Sequence, residues 1–343
     1  MCSTIIYNID GRRCLAENYD YLIDHGLVGT NLRGTQKSNG CSEADGGIEW
    51  TVKYGSITFN QFSLEMPVSG MNEAGLAVAI MWHEEGDCGA AEQFRQLNAL
   101  QWVQYQLDNF ESVDEVSIGL KNIRPESEPI PLHYLLLDSH GDSLIVEFID
   151  GELVLKKNAD YPILTNTSYD TCLKASAKSE NEDIETLGNS VGRFVHLYRQ
   201  LLIQQDKKDS AAIGFGFLDS VSQTLNNNIV DPFPWANLTS DTITAWSIVF
   251  DPVNKKIIFK TDKNKALREL NLGEWNFNEN GEYQIADINA GTAGNMLPLF
   301  ESYSLERNET LIKLAAPVVG LPEEAIEGLA SAVDHLYRER RMG

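Results

Sequence analysis

The chain opens on an alternation of apolar and polar positions. CSTIIYNI (2–9) has the two-residue period of a strand, and Asp10-Gly11 is a hairpin dipeptide leading into RRCLA. GIEWTVKYGSITFNQF (47–62) and GLAVAIMW (75–82) predict further strands. Between them SLEMPVSGMNEA reads as a loop, with Asn72-Glu73-Ala74-Gly75 as a tight turn rather than a site. The apolar spacing lengthens to three and four over AAEQFRQLNALQWVQYQLDNF (90–110) and SVDEVSIGLKNI (112–123), which predicts helices. PLHYLLLD, SLIVEFI and ELVLKK predict a meander with turns at 139–142 and 150–151. Two helices follow at GRFVHLYRQLLIQQ and AAIGFGFLDSVSQTLN, then a hairpin, TITAWSIVFD-PVNKK-IIFKTD. From about residue 262 the tail mixes loops with one helix, PEEAIEGLASAVDHLYRERR. Runs of strands, then helices, then both again, predict α+β with more than one sheet in a single domain, 2–343, carrying that tail as an extension. No Gly-rich phosphate loop follows a strand, which argues against nucleotide binding.

Composition narrows the function. Fifty acidic residues against twenty-seven basic ones give a net charge of −23, a surface that repels nucleic acid and anionic lipid. The longest apolar runs are strand-sized, so no membrane span is expected. The start lacks the basic region and long apolar run of a signal peptide, which makes the cytoplasm the expected location. Cysteines at 2, 14, 41, 88 and 172 are odd in number and irregular in spacing, which suggests neither disulfides nor a zinc knuckle. HEEGDC (83–88) gathers potential ligands but has no second ligand pair in the sequence, so it reads as a solvated loop. No metal or organic cofactor is implied. Three Asn-x-Ser/Thr sequons, at 166, 237 and 308, read as chance occurrences.

The chemistry with most promise lies at Met1-Cys2. A thiol with pKa near 8.5 is only about three per cent ionised at pH 7. If Met1 is removed, the α-amine of the same residue, with pKa near 7.7–8.0, can accept the thiol proton and later return it to a leaving nitrogen. Met-Cys alone is equally the start of a buried edge strand.

MCSTIIYNIDG, ENYDY, SGMNEAGLAVAIMW, LTNTSY, GRFVHLY and TAWSIVFD occur in an order that resembles the choloylglycine hydrolase and penicillin V acylase family. The resemblance covers residues 2 to about 260. It implies an αββα sandwich of two mostly antiparallel sheets, the N-terminal nucleophile hydrolase fold, and cleavage of linear amide C–N bonds. By the same resemblance Cys2 is nucleophile and base, and Asp20 holds the α-amine. Asn166 and the backbone N–H of Trp82 take the oxyanion, and Arg193 favours thiolate and oxyanion. The implied substrate is a small N-acyl amide: penicillin V-like, an N-acyl homoserine lactone or a conjugated bile acid. The segment between Asn166 and Arg193 is short, so assembly into a homo-oligomer stays open.

Two positions depart from the family pattern. Glu17 stands where the family motif has arginine, and a charge reversed at about 5 Å is worth roughly 3 kcal/mol at an effective dielectric near 20. Glu17 turned away, protonated or paired, or Arg12 or Arg13 filling the vacated space, would preserve activity. Otherwise the chain is a non-catalytic binder of amphipathic acyl ligands. Trp82 replaces the asparagine common in bile salt hydrolases and resembles the penicillin V acylase branch. A weaker rival is a Cys/His hydrolase with His83 or His196 as base.

Overall fold

The computed structural model describes residues 2–41, 47–89, 95–127, 130–178, 189–203, 210–223 and 242–342. The helical expectations over 90–94, 204–205 and 224–226, and the sequon at 237, lie outside these residues.

In chain order the first strands are β1 (Ser3–Ile9), β2 (Arg12–Tyr21), β3 (Leu27–Asn31), β4 (Gln36–Ser38), β5 (Glu49–Thr51), β6 (Ser56–Asn60), β7 (Pro67–Asn72) and β8 (Ala77–Trp82). Next come β9 (Arg95–Leu97), α1 (Ala99–Asn109), α2 (Val113–Gly119) and β10 (Ile123–Pro125). The meander is β11 (Leu132–Leu137), β12 (Ser143–Ile149) and β13 (Glu152–Lys157). It leads to β14 (Ile163–Leu164), α3 (Tyr169–Lys178), α4 (Asn189–Leu202) and α5 (Ser210–Ser220). Last come β15 (Ile243–Asp251), β16 (Lys256–Thr261), β17 (Arg268–Asn271), β18 (Gln284–Asp287), β19 (Gly294–Asn295), β20 (Glu301–Ser302), α6 (Leu305–Val319) and α7 (Glu323–Met342).

Two large sheets result. The first runs β14-β1-β2-β15-β16-β17-β19, and the second β13-β12-β11-β8-β7-β6-β3-β18-β20. All neighbours are antiparallel except β17 and β19. α4 and α5 cover the outer face of the first sheet and α1 that of the second, so the layers run helix, sheet, sheet, helix. Between the sheets lies a core that includes Phe59, Phe250, Phe259 and Trp246. Among the described residues no helix is long and apolar enough to cross a membrane.

Local chemistry explains the elements that hold the site. Asp10 and Gly11 have φ of 46° and 77°, the pair of left-handed residues that a two-residue hairpin needs to match strand twist. The loop expected over 63–74 is instead partly β7, a central strand. It was masked because the strand is buried on both faces and shows no alternation. Pro67 is its first residue, where a missing N–H is tolerated. At Gly70 a Cβ would stand 2.8 Å from the Ile57 carbonyl oxygen and 2.9 Å from Leu107, so β7 can lie under α1 only without a side chain there. The turn expected at 72–75 is present. Asn72 Oδ1 accepts from the N–H groups of Ala74, Gly75 and Leu76, while its Nδ2 donates to Leu107 and Phe110 carbonyls at the end of α1.

Two expectations fail outright. Arg95–Leu97 belongs to a strand, with α1 starting only after its N-cap Asn98. The tail is more than loops with one helix: β17 to β20 extend both sheets, and α6 precedes α7. α6 is capped by Ser304, whose side chain accepts from the Arg307 N–H, and ends at left-handed Gly320; Pro317 inside it disguises the helical pattern.

Candidate active site

β1 and β2 pair with Ser3 opposite Asn18 and Thr4 opposite Glu17, which puts Cys2 level with Tyr19. The pleat sorts their side chains to opposite faces. Ser3, Asn18 and Asp20 face the helical layer. Ser3 Oγ accepts from Arg193 Nε at 3.0 Å, Asn18 Nδ2 donates to the Leu218 carbonyl, and Asp20 Oδ1 accepts from Thr244 Oγ1 at 2.6 Å. Thr4 and Tyr19 face the second sheet, donating to Met81 Sδ and to Gln61. Cys2 lines a cavity of about 340 Å³ together with Tyr19, Tyr21, Ile80 and Trp82.

Cys2 is 5 % exposed, and its Sγ lies 3.8 Å from the Asp20 backbone carbonyl. Burial pushes the thiol up to about 11; the amino terminus pulls against this, while Asp20 and Glu17 add to the rise. Burial likewise lifts the Asp20 carboxyl to about 6, opposed by the amino terminus, Arg193 and the Thr244 hydroxyl. At neutral pH Asp20 is therefore mostly ionised.

Asn166 lies just past β14, and β14 is the partner of β1 on its other side, with Thr4 opposite Leu164. Arg193 has only donors, so the atom that meets its Nη2 at 2.7 Å must be Asn166 Oδ1. That orients Nδ2 towards the Trp82 carbonyl, 2.9 Å away, and leaves the second amide hydrogen for another acceptor. Trp82 faces Leu132 across β8 and β11, and the next bond is His83 N–H to the Pro131 carbonyl. The Trp82 pair is therefore one that exchanges no backbone bonds, and its N–H points away from β11.

The structure places Arg193 beside Cys2 and corrects the expectations for Arg12 and Arg13. Arg193 Nη2 also donates to the Cys2 carbonyl at 3.3 Å, so its contacts with the Cys2 segment run through Ser3 Oγ and this carbonyl, and it ties both to the Asn166 amide oxygen. Arg12 pairs with Asp251 at 3.0 Å and Arg13 Nη1 donates to the Gly141 carbonyl at 2.8 Å. Both sit at the hairpin end of β2, about 13–17 Å along the strand from Glu17, and neither fills the space of the family arginine. Glu17 does not line the cavity. It is buried between the sheets with no hydrogen-bond partner for its carboxyl oxygens among the described residues, and the Ser69 hydroxyl and Ile80 backbone approach without closing a bond. Burial raises it to about 8, so it is mostly neutral at pH 7 and the reversed charge is largely absent.

This has a measurable consequence. A carboxyl that ionises near 4.5 unfolded and near 8 folded gives stability that is complete below about pH 4.5 and lost as pH rises to about 8. Glu17→Gln should flatten the decline in melting temperature between pH 7 and 8.5, where Asp20 is already mostly ionised. An unchanged pH profile would show that Glu17 is ionised in the folded protein.

In HEEGDC, Glu84, Glu85 and Asp87 are exposed as expected of a loop, but His83 and Cys88 are buried. His83 stacks on His133 at 4.3 Å with an interplanar angle of 6°, and burial, then His133, push it down to about 2. Neither His83 ring nitrogen has a hydrogen-bond partner among the described residues. With Glu147 these rings form a group of three potential metal ligands. The residues do not suit an ion as they stand. Two parallel rings direct their lone pairs side by side rather than to one point, and His133 Nε2 is committed to the Thr165 carbonyl at 2.6 Å. Glu147 meanwhile accepts from the Tyr169 N–H at 2.8 Å and faces His133 Nδ1 at 3.2 Å. The His133–Glu147 pair thus fastens both ends of the segment carrying Asn166 to the second sheet. Sequence reading passed over it, although a histidine in PLHYLLLD and a glutamate in SLIVEFI are polar residues inside otherwise apolar strands. His196 Nε2 lies 2.8 Å from Gln200 Nε2, and neither it nor His83 lines the cavity with Cys2, so the Cys/His alternative gains no support.

The two apposed sheets between helical layers are the N-terminal nucleophile hydrolase fold. Residues 2–177 match the model of the linear amide C–N hydrolases, choloylglycine hydrolase family, and the chain belongs to that family. It is an amidohydrolase of linear amide C–N bonds. A penicillin V acylase from Pectobacterium atrosepticum is 27 % identical over 271 residues, 68 % of this chain and 70 % of the relative. Among solved structures, a penicillin V acylase from Agrobacterium tumefaciens superposes with a TM-score of 0.72 at 22 % identity, covering 88 % of this chain and 98 % of that one. A conjugated bile acid hydrolase from Clostridium perfringens gives 0.68 at 19 %, covering 85 % and 98 %.

Proposed function

We propose that the protein hydrolyses N-acyl amides with an apolar acyl group through a Cys2 acyl-enzyme, formed once Met1 has been removed. The observation that carries this reading is Cys2 itself, lining a hydrocarbon-walled cavity with Asp20 beside it and Arg193 joining its carbonyl to the Asn166 amide.

A thiol near 11 holds almost no standing thiolate at neutral pH, so its proton must leave as attack proceeds. The liberated α-amine, with pKa near 8, is its acceptor; the gap of about 3 units costs about 4 kcal/mol. Ionised Asp20 favours the ammonium that results. Sulfur adds to the acyl carbon, and the oxyanion takes hydrogen bonds from Asn166 Nδ2 and the Trp82 N–H. The ammonium then protonates the departing nitrogen as the C–N bond breaks, and water, deprotonated by the same amine, releases the acid from sulfur. The mostly apolar lining suits the acyl groups of penicillin V-like amides and N-acyl homoserine lactones, and offers the hydroxyls of a bile acid few partners for the water they would lose.

Intact-protein mass spectrometry after a brief pulse of a chromogenic N-acyl amide tests this. The expected result is a chain lacking Met1 with one acyl group on the peptide that begins at Cys2. Product release without an adduct, undiminished in a form that retains Met1, would overturn the mechanism. Binding with neither adduct nor product would favour the non-catalytic binder.

A further inference from the structure

The cavity has a second wall that no part of the mechanism uses. Besides Cys2, Tyr19 and Trp82, the cavity is lined by Ile312, Ala315, Ala316 and Val319 of α6, Leu321 of the turn and Leu329 of α7. These helices pack partly on each other: Ile312, Ala316, Ile326 and Ala330 form a small core separate from the main one. Ala315 is buried but belongs to neither core, so its methyl group is spent on the cavity.

Polar pins fasten this hairpin to the body. Asn308 Oδ1 accepts from the Leu64 N–H at 2.9 Å. Tyr337 OH donates to Glu65 Oε1 at 2.7 Å, and its ring stacks on Tyr283 at 3.8 Å. Glu65 is itself paired with buried Lys37 at 2.5 Å. Both pins grip 64–65, between Ser63 and Met66, which line the same cavity. The hairpin therefore fixes its own wall and the adjoining loop together.

We propose that the α6–α7 hairpin is the acyl-selecting wall: it receives an unsubstituted alkanoyl chain, and Ala315 sets the length that fits. An alkyl chain matches a wall without donors or acceptors, whereas each polar substituent on the tail would be buried unpaired. The assignment rests on the reading of Cys2 as the acyl-accepting residue, and its test separates the two.

Rates are measured for a homologous series of N-alkanoyl amides, and binding of the same series to Cys2→Ala protein. In the unmodified enzyme kcat/KM should rise by up to about fourfold per methylene until the cavity is full. Ala315→Phe should move the optimum to shorter chains and cut the long-to-short ratio at least about tenfold, in rate and in binding alike. Leu329→Ala, which removes side-chain volume, should move it the other way and covers the case in which Ala315→Phe fails to fold. Ratios unmoved by either variant, or losses equal at every length, would overturn the hairpin's role. Length-dependent binding that follows the variants, without turnover in the unmodified protein, would sustain the hairpin and refute the hydrolytic reading.

Discussion

Cys2→Ala is expected to lower kcat for an N-acyl amide by at least about 10⁴-fold, the scale seen when the covalent nucleophile is removed from a serine protease. Acyl ligands should still bind, because the walls of the cavity are untouched and the lost thiol is a small part of its surface. Cys2→Ser keeps the α-amine and almost the same shape, yet should recover little, since a hydroxyl gives up its proton less readily than a thiol. The measurement is single-turnover kinetics alongside ligand displacement in each variant. Residual activity within about tenfold of the unmodified enzyme would mean that another group attacks the carbonyl.

Asn166→Asp should cost at least about 10³-fold in kcat with little change in KM. Removal of one oxyanion donor is typically worth 10²–10³-fold, and here an anion would also face the developing negative charge. The substitution preserves size, so it isolates chemistry from packing. One carboxylate oxygen would keep the Arg193 contact now made by Oδ1, while the other would meet the Trp82 carbonyl, acceptor against acceptor. A rise in KM with kcat unchanged would instead place Asn166 in ground-state binding.

Much of the scaffold was legible where local pattern and tertiary role agree. β1 alternates, Asp10-Gly11 turns, and Asn72 caps its own turn while holding the end of α1. Reading failed where burial on both faces erases the period, as in β7, or where a proline interrupts it, as in α6. The site residues drawn from the family resemblance do converge around Cys2, but three details depend on packing alone. Arg193 holds carbonyl and amide oxygens, Glu17 is neutralised by burial, and His133 with Glu147 secures the Asn166 segment. No spacing along the chain encodes these. Of the three sequons, Asn308 is wholly buried and used as a pin, which accords with chance occurrence.

The cavity joins residue 2 to residues 312–329, which lie far apart along the chain. A ribosome makes Cys2 roughly 300 residues before the helices that share its cavity. Until α6 and α7 have emerged, then, the Cys2 sulfur is without part of the lining that completes its cavity.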